Sequence, residues 1–252
     1  MCLIAFAWQS DPRYPLVVAA NRDEWRARPA SPAGWWPDRP DLLAGRDLEA
    51  GGTWMGITRG ARFCAVTNFR DPSDKRPGAR SRGELVAGFL AGDEPPAAWC
   101  EALAARAGDY NGFNLLAGDG DSLVYFGSRE GEVRAVEQGV HALSNHLLDE
   151  PWPKVRRARE AMARAPGGSS EPLFAMLSDP TPGPDDELPD TGVGLAWERR
   201  LSPALILGED YGTRASTVLC IAADGTARFE ERTRDATGAV TESRDFSFRI
   251  AR

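Results

Sequence analysis

The chain has 252 residues, 42% hydrophobic and 27% charged, and its 27.3 kDa are enough to bury a core without a metal or disulfide staple. This composition, with no apolar run near the roughly 18 residues of a membrane span, excludes collagenous, disordered and integral-membrane classes. A formal net charge of −7 offers no overall field attractive to phosphate, so nucleic acid and acidic membranes are poor default partners.

No linker interrupts the sequence, and residues 1–252 are read as one domain. Only Lys75 and Lys154 are lysines among the 30 basic residues, a bias that with abundant Ala and Gly suggests a GC-rich bacterial genome. Cys2, Cys64, Cys100 and Cys220 are scattered, with no CxxC pair. This indicates neither a zinc ribbon nor a disulfide scaffold and fits a cytoplasmic protein.

In chain order, residues 3–8 (LIAFAW) are too short and lack the basic flank of a targeting segment, so they read as a buried first strand. Residues 16–20 form a second strand after a polar, Pro-containing loop. Residues 26–40 are Pro-rich and read as irregular, although they carry Trp35 and Trp36. Gly51 and Gly52 precede a hairpin of residues 53–58 and 62–67. Ser81 and Glu84 form a capping-box pattern ahead of a helix starting near residue 82, and Pro95-Pro96 can open another.

Segments 113–117, 122–126 and 133–137 alternate with turns and read as an antiparallel meander, with 140–144 as a further strand. Residues 153–165 read as a helix with Pro in its first turn. Residues 179–192, dominated by Pro, Gly and acids, read as an exposed loop. Asp224-Gly225 between residues 215–222 and 226–232 is a strong hairpin signal, and 246–250 alternates as a last strand. Clustered strands with helices in pairs indicate an α+β fold.

No phosphate-loop, dinucleotide-binding, serine-esterase or zincin motif occurs. With only His141 and His146, a three-histidine metal site is excluded, and no metal centre is expected. Cys2 offers another chemistry. If Met1 is removed, the thiol lies beside an α-amine of ordinary pKa about 7.7 to 8.0, and one residue carries both nucleophile and base. A buried cysteine that begins a strand fits the same position.

Asn21-Arg22-Asp23-Glu24, together with MCLIAF, Gly51-Gly52-Thr53-Trp54, Leu143-Ser144-Asn145, Pro151-Trp152-Pro153-Lys154 and Tyr211-Gly212-Thr213-Arg214, resembles the NRDE family, also named after transport and Golgi organisation protein 2. The resemblance runs from residue 2 to about 220. It implies a four-layer αββα sandwich of the N-terminal nucleophile hydrolase type, similar to the cysteine amidases that cleave penicillin V and conjugated bile salts.

Carried over by resemblance, Cys2 matches the nucleophile and Arg22 an arginine beside the thiol. In those amidases the aspartate that binds the α-amine follows the arginine after two residues. Here Trp25 holds that place, and the role is open between Asp23 and Glu24. Asn145 matches the oxyanion-hole asparagine, and Arg214 a second arginine of the site.

Glu24, Trp54 and Asn68 are candidate substrate contacts, with Asn114 a further polar candidate. Trp54 is expected to fill core, and the pair Trp35 and Trp36 to lie at the surface or in a pocket. The basic cluster between Arg70 and Arg82 reads as a solvated loop or as a contact for acyl-CoA phosphates.

The resemblance thus implies a hydrolase cleaving a linear amide of a small acylated molecule, with no cofactor. An alternative within the same family is a non-catalytic carrier of haem, with His146 as the candidate ligand, or of acyl-CoA. A third reading is an interaction domain on a retired enzyme fold.

Overall fold

The computed structural model describes every residue except Met1, Lys75, Pro166, Gly168 and Arg252; the expected removal of Met1 lies outside the described residues. Strand β1 (Cys2–Asp11) runs antiparallel to β2 (Tyr14–Trp25). In β1, Ile4, Phe6 and Trp8 face one core and Leu3, Ala5 and Ala7 another. Burial on both faces explains why the sequence shows a continuous apolar run instead of an alternating one.

Strands β3 (Ala30–Trp36), β4 (Arg39–Asp47), β5 (Met55–Thr58), β6 (Phe63–Asn68), β7 (Phe113–Gly118), β8 (Leu123–Gly127) and β9 (Val133–Ala135) form one antiparallel sheet in chain order. Strands β10 (Gly139–Leu143), β11 (Tyr211–Ile221), β12 (Thr226–Arg234) and β13 (Val240–Arg249) join β1 and β2 in the other, ordered β10-β1-β2-β11-β12-β13.

The two sheets pack face to face through Ile4, Phe6 and Val18 against Leu43, Ile57 and Phe63. Helices α1 (Gly83–Ala91) and α2 (Pro96–Ala104) cover the seven-stranded sheet, while α3 (Pro153–Arg164) and α4 (Glu171–Leu177) cover the six-stranded one. A short α5 (Leu195–Leu201) packs Leu201 with Ile206 and Tyr211. The expected four-layer αββα sandwich is the fold observed. Among the described residues, no helix is long and apolar enough to cross a membrane.

Three local expectations are corrected. Residues 26–40 are not irregular: they contain all of β3 and the start of β4. Pro32 is accommodated because β3 is an edge strand with register shifts, where a missing N–H costs no ladder bond. The capping box of Ser81 and Glu84 is not made by side chains. The Glu84 N–H donates to the Ser81 carbonyl, and its carboxylate takes Arg80 at 2.6 Å.

The third concerns tryptophans. Trp36 is core, its indole donating to the Ala44 carbonyl at 3.1 Å, whereas Trp54 is only half-buried. Residues 179–192 are exposed over most of their length, but Thr191 anchors their end by donating to the Glu198 carboxylate.

Asn21 shows how the two sheet faces differ. It points toward the helix layer, donates to the carbonyls of Leu177 and Ala204 at 2.8 Å each, and accepts from Ser216 at 2.6 Å. It is therefore a pin between β2, β11 and the chain after α4. Asn21→Ala is expected to lower stability by about 2–4 kcal/mol, since it orphans several buried partners; the urea unfolding midpoint measures this.

Candidate active site

The register of β2 with its neighbours assembles the site. Cys2 pairs with Arg22, which pairs on its other side with Ala215 of β11. Directly paired antiparallel residues project to the same face, and the even-numbered residues of β1 and β2 look between the sheets. Cys2, Arg22 and Glu24 therefore share the inter-sheet side, whereas Asn21 and Asp23 point toward the helices.

At the ends of these strands the sheets part into a cleft of about 530 Å³ whose walls include Cys2, Arg22, Glu24, Thr53, Trp54 and Asn68. An open depression of about 450 Å³ between β4, β5 and the end of α1 contains no cysteine, serine or histidine in its walls.

Burial pushes the Cys2 thiol above its ordinary value, while the Asp23 backbone N–H and the Arg22 guanidinium favour the thiolate. Arg22 is largely buried and approaches Glu24 only at 3.7 Å. Glu24 also accepts from the N–H of Trp25 at 2.9 Å.

Behind Cys2, Asp23 accepts from the Thr213 hydroxyl at 2.7 Å, and Thr213 in turn accepts from the Ile206 N–H at 2.9 Å. Burial raises the Asp23 carboxyl, opposed by the charges of Lys154 and Arg70 and by the Thr213 bond.

The other expected residues are placed as follows. Asn145 is fully buried, donates to the Asn68 carbonyl at 3.0 Å and lies behind the cleft wall. Its neighbour Ser144 donates to the Cys2 carbonyl at 3.1 Å. Asn68 itself lines the cleft.

Arg214 occupies a bulge between Thr213 and Ala215, and one of its nitrogens donates to the carbonyls of Trp25, Arg26 and Arg28. It thus braces the segment after β2 and borders a smaller recess instead of the Cys2 cleft. Asn114 is spent on Thr67 and the His146 carbonyl. Neither histidine lines the cleft: His141 pairs with Asp149 at 2.7 Å and His146 with Glu150 at 3.1 Å.

A family model described as Transport and Golgi organisation 2 matches residues 1–236. The chain belongs to that family. The Transport and Golgi organization protein 2 homolog of Bos taurus is 37% identical over 258 residues, covering 92% of each chain. That of Homo sapiens is 34% identical over 277 residues, covering 99% of each. Among solved structures, a mutant conjugated bile acid hydrolase from Clostridium perfringens covers 99% of this chain and 92% of its own, with 10% identity and a TM-score of 0.49.

This member of the Transport and Golgi organisation 2 family also holds residues that sequence reasoning passed over. Arg70, expected in a solvated loop, is buried, forms an ion pair with Glu198 of α5 and lies 4.7 Å from the Trp152 ring centre. Lys154 donates to the Leu201 carbonyl at 2.9 Å.

Asp23, Arg70, Lys154 and Glu198 thus form a set of two acids and two bases, none more than 7% exposed. Desolvating each costs several kcal/mol, which only mutual neutralisation offsets. Lys154 had a signal, standing in the Pro-Trp-Pro-Lys motif. Glu198 had none.

Burial, reinforced by Arg70, lowers the Lys154 ammonium from 10.5 to about 8. The folded protein therefore sheds this proton before the unfolded chain does, and the group makes stability climb as pH rises through that interval. Lys154→Met is expected to remove the climb. Urea midpoints at about pH 7.5 and about pH 9.5 should differ less in the variant than in the wild type.

Proposed function

We propose that this protein is an N-terminal nucleophile cysteine amidohydrolase that cleaves the C–N bond of a linear amide in a small acylated molecule. The supporting observation is the opening of Cys2, with Arg22 directly across the β1–β2 pair, into the largest of the cavities described. With the thiol raised by burial, attack requires a base. Once Met1 is removed, the α-amine of Cys2 takes the thiol proton.

The thiolate sulfur then bonds to the amide carbon, and its carbonyl oxygen gains the negative charge. The proton passes to the nitrogen, the C–N bond breaks, and the amine departs, leaving a thioester. Water adds to that ester, which releases the carboxylic acid and restores the thiol.

Asp23, held by Thr213 beside Cys2, is the residue to balance the charge of the amine, and Glu24, facing the cleft, is left to contact substrate. Arg22 orients the carbonyl. The amidase resemblance gives the oxyanion role to Asn145, but Asn145 is buried behind the cleft wall with its amide donating to the Asn68 carbonyl, so the role is assigned to Asn68, which lines the cleft. Arg214 supports this arrangement through the three carbonyls that it binds.

A haem carrier is not favoured, because neither histidine lines the cleft: His141 is bonded to Asp149, and His146 lies beside Glu150. Cys2→Ala is expected to reduce amine release from a panel of acyl amides by at least about 10³-fold with the unfolding midpoint nearly unchanged. Turnover retained in the folded variant would exclude the mechanism.

A further inference from the structure

Four arginines reach the Cys2 cleft, and three of them have carboxylate neighbours. Arg28 binds Asp47 at 2.6 Å and Glu49 at 3.3 Å, Arg80 binds Glu84 at 2.6 Å, and Arg22 lies 3.7 Å from Glu24. Arg82 differs. Among the described residues it forms no ion pair, and one terminal nitrogen donates to the Gly112 carbonyl at 3.1 Å.

Its segment is held firmly. The Thr53 N–H donates to the Gly83 carbonyl at 3.2 Å, and Gly52 and Gly83 touch so closely that a Cβ on Gly52 would meet the Gly83 carbonyl carbon at 2.5 Å. Arg82 thus stands preset on the wall facing Cys2, with donors to spare.

We propose that Arg82, aided by Arg22, forms a carboxylate-binding subsite in the Cys2 cleft, so that the substrate is an acyl amide with a carboxylate close to the scissile bond. The inference rests on Cys2 being the nucleophile. A guanidinium fork fits a carboxylate with two parallel hydrogen bonds, and partial desolvation strengthens that contact. Burial lowers the Arg82 guanidinium, and negative charge at Cys2 or Glu24 opposes that shift, so an anion in the cleft would be favoured beside it.

The test needs no known substrate. Iodoacetate and iodoacetamide alkylate a thiolate by the same displacement of iodide, and differ in whether the group beside the reacting carbon is a carboxylate or a neutral amide. Rates at Cys2 are read by peptide mass mapping, and their ratio is divided by the same ratio for a small free thiol. The thiolate fraction cancels in that quotient, so it isolates recognition of the carboxylate.

The expected quotient in the wild type is about 5, falling toward 1 in high salt as the contact is screened. Arg82→Gln should bring it to about 1 in low salt, with Arg82→Lys intermediate because the charge stays and the fork is lost. A wild-type quotient at or below 1, or one that Arg82→Gln leaves unchanged, overturns the subsite. If Arg82→Gln does not fold, the salt titration of the wild type decides.

Rapid labelling by iodoacetamide without preference for iodoacetate removes the subsite and leaves the hydrolase reading standing. A Cys2 that reacts with neither reagent removes both.

Discussion

Pairing of Cys2 with Arg22 across β1 and β2 depends on β1 being buried on both faces. Ile4, Phe6 and Trp8 lock it to the second sheet, while Leu3, Ala5 and Ala7 lock it to the helices. A strand held from both sides has no freedom to slide, because a one-residue shift would exchange the two faces. The position of the thiol is therefore set by the packing of the whole sandwich. Ser144 adds a local tie by holding the Cys2 carbonyl.

Charge is divided between the two faces of the same strand. Toward the helices, Asp23 belongs to a buried set with Arg70, Lys154 and Glu198 that holds two acids and two bases. Toward the cleft, Arg22 and Glu24 face solvent-accessible space with only a loose mutual contact. The first group is preorganised at the expense of desolvation. The second retains capacity for a ligand.

Much of this architecture was legible. The NRDE tetrapeptide and the apolar run before it reveal the paired strands, and Asp224-Gly225 marks the β11–β12 hairpin. The hairpin of β3 and β4 was hidden because β3, a Pro-rich edge strand, lacks the alternating pattern by which strands are recognised. Helices α4 and α5 were missed because seven-residue helices span too few turns for periodicity to show.

Within the site, Asn21 carries no local sign that its amide spans three segments. Arg70 and Arg82 look alike in a basic loop, yet one is sealed under Trp152 and the other stands over the cleft. Their difference arises from Glu198 and Gly112, residues distant in sequence that only tertiary structure brings close.

The alternation along β2 gives the tetrapeptide a reading frame. Asn21 and Asp23 serve the helix side, and Arg22 and Glu24 the cleft, so a single residue inserted within β2 ahead of Asn21 would rotate all four into the wrong compartment. The pin and the buried acid would then face the cleft, and the arginine would be driven into the packed layer beneath α4. An insertion in the turn between β1 and β2 is a different matter, because the register shift already present between Trp8 and Asp11 shows where the hairpin can absorb extra length. Tolerance to insertion along this hairpin thus changes sharply within a few residues, from permissive at its tip to forbidding at its base.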